Sequence, residues 1–133
     1  MSLEDLRKQF IVDDATVKKD LESLVSRALA HALVDTKGRV HLRNQKLSGI
    51  VKVKLALSAR TIASQLEASF KPTMTVEEVV EAAGLPPNQA RARLSQAVEE
   101  RFAETPERGA YRANPHRIAA FLDDLEREKG NAG

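Results

Sequence analysis

Apolar positions along this chain recur at two spacings, and the change from one to the other marks the elements. Val17, Leu21, Leu24, Val25, Ala28 and Ala32 fall at steps of three and four, which predicts a helix that Asp13 and Asp14 can cap. Ala90, Leu94, Ala97 and Val98 repeat that pattern in a helix begun by Pro87 and Asn88. A shorter stretch precedes each. Ser2-Leu3-Glu4-Asp5-Leu6 and Thr75-Val76-Glu77-Glu78-Val79 both open as capping boxes, a hydroxyl at the N-cap and an acid three residues on. Gly84 marks where the second short helix stops, with Leu85 plugging the turn. Charged glycine turns follow the longer helices, Lys37-Gly38-Arg39 and Arg108-Gly109. Val40 and Leu42 alternate after the first and Tyr111 follows the second, as in the returning strand of a small hairpin. Asn114-Pro115 opens a last helix with Ile118, Phe121, Leu122 and Leu125 on one side.

Residues 50–57 fit both periods. Val51, Val53, Leu55 and Leu57 alternate like a strand, while Val51, Leu55, Ala59, Ile62, Leu66 and Phe70 step like a helix. No Gly or Pro interrupts residues 50–71, which tips the reading to helix.

The pattern repeats at a spacing of 73. Ser2 to Leu6 corresponds to Thr75 to Val79, Val12 to Leu85, Asp13-Asp14 to Pro86-Pro87, Leu21 to Leu94, and Val25 to Val98. The expected organisation is therefore a first unit over 1–46, a basic connector helix over 47–71, a second unit over 72–113, an amphipathic helix over 114–129 and a tail over 130–133.

Composition narrows the function. The chain is 42% hydrophobic and 30% charged, an ordinary globular balance. Lys52 and Lys54 break the greasiest stretch, so no membrane span is expected, and the N-terminus lacks a secretory layout. Zero cysteines exclude a disulfide framework and thiolate chemistry and fit a cytoplasmic or nucleoid-associated protein. With no Trp and one Tyr, the core must be aliphatic, which points to packed helices. The net charge of +2 hides an asymmetry. Between Asp35 and Glu67 there is no acid, yet there are seven bases: Lys37, Arg39, Arg43, Lys46, Lys52, Lys54 and Arg60. Clustered positive charge suits a polyanion, since neutralised phosphates release counterions.

Short helix, turn, longer helix and β-wing resembles the winged-helix variant of the helix-turn-helix. The run Leu3-Glu4-Asp5-Leu6, Phe10-Ile11-Val12, Ala15-Thr16-Val17-Lys18-Lys19-Asp20-Leu21 is similar to the DNA-binding region of DeoR-type repressors over residues 2–43. In that family a Thr-(Ile/Val)-basic-basic-Asp-Leu run opens the recognition helix. The resemblance implies that this helix enters the major groove and that Lys37, Gly38 and Arg39 form the wing. The second copy, about 58–113, is only generically winged-helix. The first copy also lacks the helix that precedes the motif in a complete winged helix, so another segment or a partner chain is expected to cover that edge.

The expected fold is thus mainly α with small β-wings, as tandem winged helix-turn-helix units joined by a connector helix. The expected partner is double-stranded DNA. With Leu21 inward, Thr16, Lys19, Ser23 and Ser26 point outward, flanked by Lys18 and Arg27. With Leu94 inward, the second copy presents Gln89, Ala92, Gln96 and Glu99, flanked by Arg91 and Arg93. Candidate DNA contacts are accordingly Thr16, Lys18, Lys19, Ser23 and Arg27; Lys37, Arg39, Arg43, Lys46, Lys52 and Lys54; Gln89, Arg91 and Arg93; and Arg108 and Arg112. The first copy ranks as the better reader, because Glu99 and Glu100 would repel phosphates along the second.

The alternative is a tandem winged-helix adaptor binding protein partners, as in endosomal-sorting or proteasome-lid assemblies. No enzyme, cofactor or metal site is expected. His31, His41 and His116 show no paired ligand spacing, and phosphate loops and nucleophile elbows are absent. A homodimer is expected through the stripe Ile118, Phe121, Leu122 and Leu125.

Overall fold

The structure is a computed structural model; it describes the backbone of residues 2–10 and 14–132 and the side chains of residues 2–7 and 20–127. Its elements run α1 (Leu3–Phe10), α2 (Asp14–Leu29), β1 (Ala32–Val34), β2 (Val40–Leu42), α3 (Gly49–Leu66), α4 (Val76–Ala83), α5 (Pro87–Glu99), β3 (Ala103–Glu107), β4 (Ala110–Ala113) and α6 (Pro115–Ala132). The protein is mainly helical, with two small antiparallel hairpins. Both halves read helix, helix, hairpin, helix, so the repeat extends one helix further than the sequence motif. Asp13, named as a possible cap, lies outside the described residues.

Local chemistry explains the boundaries. The Asp5 amide donates to Ser2 Oγ at 3.2 Å and the Ser2 amide to Asp5 Oδ2 at 3.4 Å, completing a capping box on α1. Thr75 and Glu78 make the same reciprocal pair on α4. Gly84 stops α4 at φ 64°, a left-handed position that costs other residues strain. Asn114 Oδ1 accepts from the His116 amide at 3.1 Å and starts α6 at Pro115. That helix runs on to Ala132, taking in most of the expected tail.

The hairpins form where the glycine turns lie. Ala32 pairs with Leu42 and Val34 with Val40 in the first; Ala103 pairs with Ala113 in the second, whose register shifts between Glu104 and Glu107. Met74, just before α4, bridges Tyr111 and adds a third short strand segment to the second hairpin.

Residues 50–57 are helical, as part of α3. Their double periodicity has a physical cause. α3 is buried from Lys52 to Ala63 except at Lys54, with Val53, Leu55, Ala56, Leu57 and Ser58 fully enclosed. A helix covered on nearly all sides has no polar face to reveal its period. The expectation of a connector is corrected accordingly. α2, both hairpins, α4, α5 and α6 pack on α3, and one apolar cluster runs from Ala28 to Leu125.

The expected dimer stripe is also corrected. Ile118, Leu122 and Leu125 are buried within the chain, and Phe121 packs edge-on against Phe102 with ring centroids 5.3 Å apart. α6 crosses α3 and α2, so this face is not free for a second chain. The same helix also contacts α2 of the first unit.

Candidate nucleic-acid interface

The acid-free block divides into two groups of bases. Lys52, Lys54 and Arg60 lie on α3 and turn inward. Lys52 is buried, its Nζ donating to the Gln45 carbonyl at 3.3 Å. Lys54 pairs with Glu100 at 3.3 Å and sits 5.4 Å from the Phe102 ring centroid, a cation–π distance. Arg60 donates to the Gly38 and Lys71 carbonyls and to Glu78, the last at 2.7 Å. Glu78 loses solvation by burial, which pushes its carboxyl up, but the Arg60 and Thr75 hydrogen bonds outweigh this and hold it below its ordinary value. Lys52 and Lys54, both among the expected DNA contacts, thus direct their ammonium groups to the chain's own carbonyl and carboxylate.

Arg27, another expected contact, is engaged by the chain as well. Its guanidinium reaches across to α6, donating to Glu126 at 2.8 Å, to Asp123 and to the Ala119 carbonyl. The Glu126 hydrogen bond leads in raising its pKa, against a smaller opposing effect of burial. Arg112 is half committed, with Nε and Nη2 both 3.0 Å from Glu104 Oε2.

The other four bases of the block stay at the surface. Lys37 and Arg39 flank Gly38 at the hairpin tip, where φ is 85°. Asp35 shapes this tip: its Oδ1 accepts from the Lys37 and Arg39 amides at 2.9 and 3.0 Å, and its Oδ2 lies 2.9 Å from His41 Nε2. The His41 contact first, then the Arg39 amide, lowers the Asp35 carboxyl to about 2. Arg39 lies 3.8 Å from Glu81 of α4, which offsets part of its charge. Arg43 donates through Nε to the Leu29 carbonyl at 2.7 Å, satisfying a free carbonyl at the end of α2.

Lys46 is exposed on the loop between β2 and α3, and that loop is pinned to the second half of the chain. Gln45 Nε2 donates to the Ala82 carbonyl at 3.3 Å, beside Gly84. The Arg93 stem runs past Gly49, the first residue of α3. The loop carrying Lys46 is thereby fixed against the α4–α5 turn and α5.

α5 turns Ala90, Leu94 and Ala97 inward and leaves Gln89, Arg91, Ala92 and Arg93 exposed. Arg93 Nη1 donates to Gln96 Oε1 at 2.6 Å, which orders a polar strip along this face. Glu100, at the end of α5, is offset by Lys54 from inside. Arg108 is exposed at the tip of the second hairpin, beside Gly109. Lys37, Lys46, Arg91 and Arg108 have no ionic partner among the described residues.

On α2, Ser23 is exposed. The side chains of Thr16, Lys18 and Lys19 lie outside the described residues, so the structure does not bear on the face expected to read DNA in the first copy. The Gln45 clamp and the Arg60 hub had no signal in the sequence, since their partners lie 37 and 22 residues away. Among the described residues no group of three His, Asp or Glu side chains could hold a metal ion, and no helix is long and apolar enough to cross a membrane. Comparison with protein-family models, curated proteins and solved structures found no match for the chain.

Proposed function

We propose that this protein binds double-stranded DNA through tandem winged helix-turn-helix units, as a small transcriptional regulator or a chromosome- or plasmid-associated factor in the cytoplasm. The observation that carries this reading is the polar, cationic face of α5, with Lys46 held alongside it by the Gln45 clamp. The order α3, Met74 segment, α4, α5 and β3–β4 hairpin supports it, because it is the order helix, short strand, helix, helix and hairpin of a winged-helix unit. In this reading α5 takes the role first expected of α2. Gln89, Arg91 and Arg93 reach base edges or phosphates, while Lys46, Lys37 and Arg108 hold the backbone on either side.

Binding to a random duplex across a salt series tests the proposal. About five phosphate contacts give a log–log slope of roughly −4 to −5. A Lys46→Glu, Arg91→Glu, Arg108→Glu triple variant, at exposed positions with no ionic partner among the described residues, flattens the slope while its melting temperature holds. Undetectable binding of the unmodified chain at low salt overturns the proposal.

A further inference from the structure

An apolar groove lies between α2, β1 and the C-terminal half of α3. Val25, Ala28, Ile62 and Ala63 form its floor, and Leu29, Leu33 and Leu66 rim it at 50%, 46% and 60% exposure. It encloses about 250 Å³, and Glu67 is the one charged residue lining it among the described residues. A second uncovered apolar face lies on α1, where Leu3 and Leu6 are 84% and 46% exposed.

The internal repeat indicates what the α1 face is built for. At the spacing of 73, Leu3 and Leu6 correspond to Val76 and Val79 of α4. There the same positions are closed: Val79 is fully buried and Val76 is half-buried, with α4 packed on α3. On α1 they stand open. The groove offers a further flank of α3, where Leu66 is exposed beside the buried Ile62.

We infer that two copies of this chain associate by exchange, the α1 of each seating Leu3 and Leu6 in the groove of the other. The partner's α1 then lies against the α2, β1 and α3 residues that line the groove. The arrangement is two-fold symmetric, each chain giving one helix and one groove.

The area is sufficient. Full burial of one leucine removes about 100 Å² of apolar surface. The exposed fractions of Leu3, Leu6, Leu29, Leu33 and Leu66 amount to nearly three leucines per chain, hence about 600 Å² for the pair. Apolar atoms make up roughly 60% of an interface. The total is then about 1,000 Å², the size at which specific interfaces begin.

Sedimentation equilibrium of the full chain between 1 and 100 μM tests the exchange. The intact chain is expected to reach twice the monomer mass by tens of micromolar. Leu3→Ser with Leu6→Ser, or Leu33→Ser with Leu66→Ser, each weakens the dimer about tenfold or more. All four leucines are exposed, and unchanged melting of both variants verifies the fold. Mixing the two variants forms a heterodimer that keeps one intact α1–groove contact, and it assembles more tightly than either variant alone. A monomer at 100 μM overturns the inference and includes the case in which α1 closes on its own groove. Loss of the dimer on groove changes alone also overturns it, since another occupant then fills the site.

Discussion

At the scale of single residues, two positions show how local geometry sets energy. Arg101 follows α5 with φ 63°, the one described non-glycine residue in left-handed backbone. It lets the Phe102 amide reach back to the Ala97 carbonyl at 3.0 Å and close the helix end. A Cβ is disfavoured there, so Arg101→Gly is expected to raise stability by about 0.5–1 kcal/mol, read by chemical denaturation. Loss of stability would mean that the arginine side chain matters more than the backbone strain. Asp35 gives a pH dependence. Its carboxyl moves from an ordinary 3.8 down to about 2 in the folded chain. A depressed carboxylate favours the fold above its unfolded pKa, and that contribution disappears as pH falls through the folded value. The first hairpin is therefore expected to hold near pH 4 and loosen between about 4 and 2. Amide exchange at Lys37 and Arg39 reports this, and Asp35→Asn abolishes the dependence.

At the scale of elements, the first hairpin has little strength of its own, since a two-stranded ribbon is marginal in water. Arg60 ties it down. From α3 it holds the Gly38 carbonyl of the hairpin tip, the Lys71 carbonyl before α4, and Glu78 in the first turn of α4. Its side chain is 9% exposed, so removal strands two carbonyls and a half-buried carboxylate. Arg60→Met is expected to cost about 2–3 kcal/mol. Hydrogen exchange should show the loss concentrated in β1, β2 and the start of α4. Uniform loss across α5 and α6 would show that Arg60 acts as generic core instead.

At the scale of the whole molecule, α3 decides cooperativity. Both hairpins and the helices α2, α4, α5 and α6 pack on it, so neither half keeps a core without it. Calorimetry is expected to show one transition, with calorimetric and van't Hoff enthalpies equal. Leu57→Ala, at a fully buried position on α3, should lower that single transition by about 2–5 kcal/mol. Two separated transitions would establish independent units and restore the connector expected from the sequence.

The sequence alone determined the features that need only a few neighbouring residues. The capping boxes at Ser2 and Thr75, the stop at Gly84, the hairpin tips at Gly38 and Gly109 and the start of α6 at Pro115 all depend on hydrogen bonds or dihedrals within one turn. The repeat was legible because it is built from those local signals. The inward stripes on α5 and α6 were legible too, but an amphipathic stripe tells that a face is buried and not what buries it. Tertiary structure decided that Ile118, Leu122 and Leu125 meet their own chain, and that α3 is a centre rather than a link. It also sorted the bases. Lys52, Lys54, Arg60 and Arg27 carry the same charge as Lys46 and Arg93 in the sequence, yet only distant groups such as Glu100, Glu78 and Asp123 determine which are spent inside. Charge is a property of a residue. Its availability to a partner depends on everything folded around it.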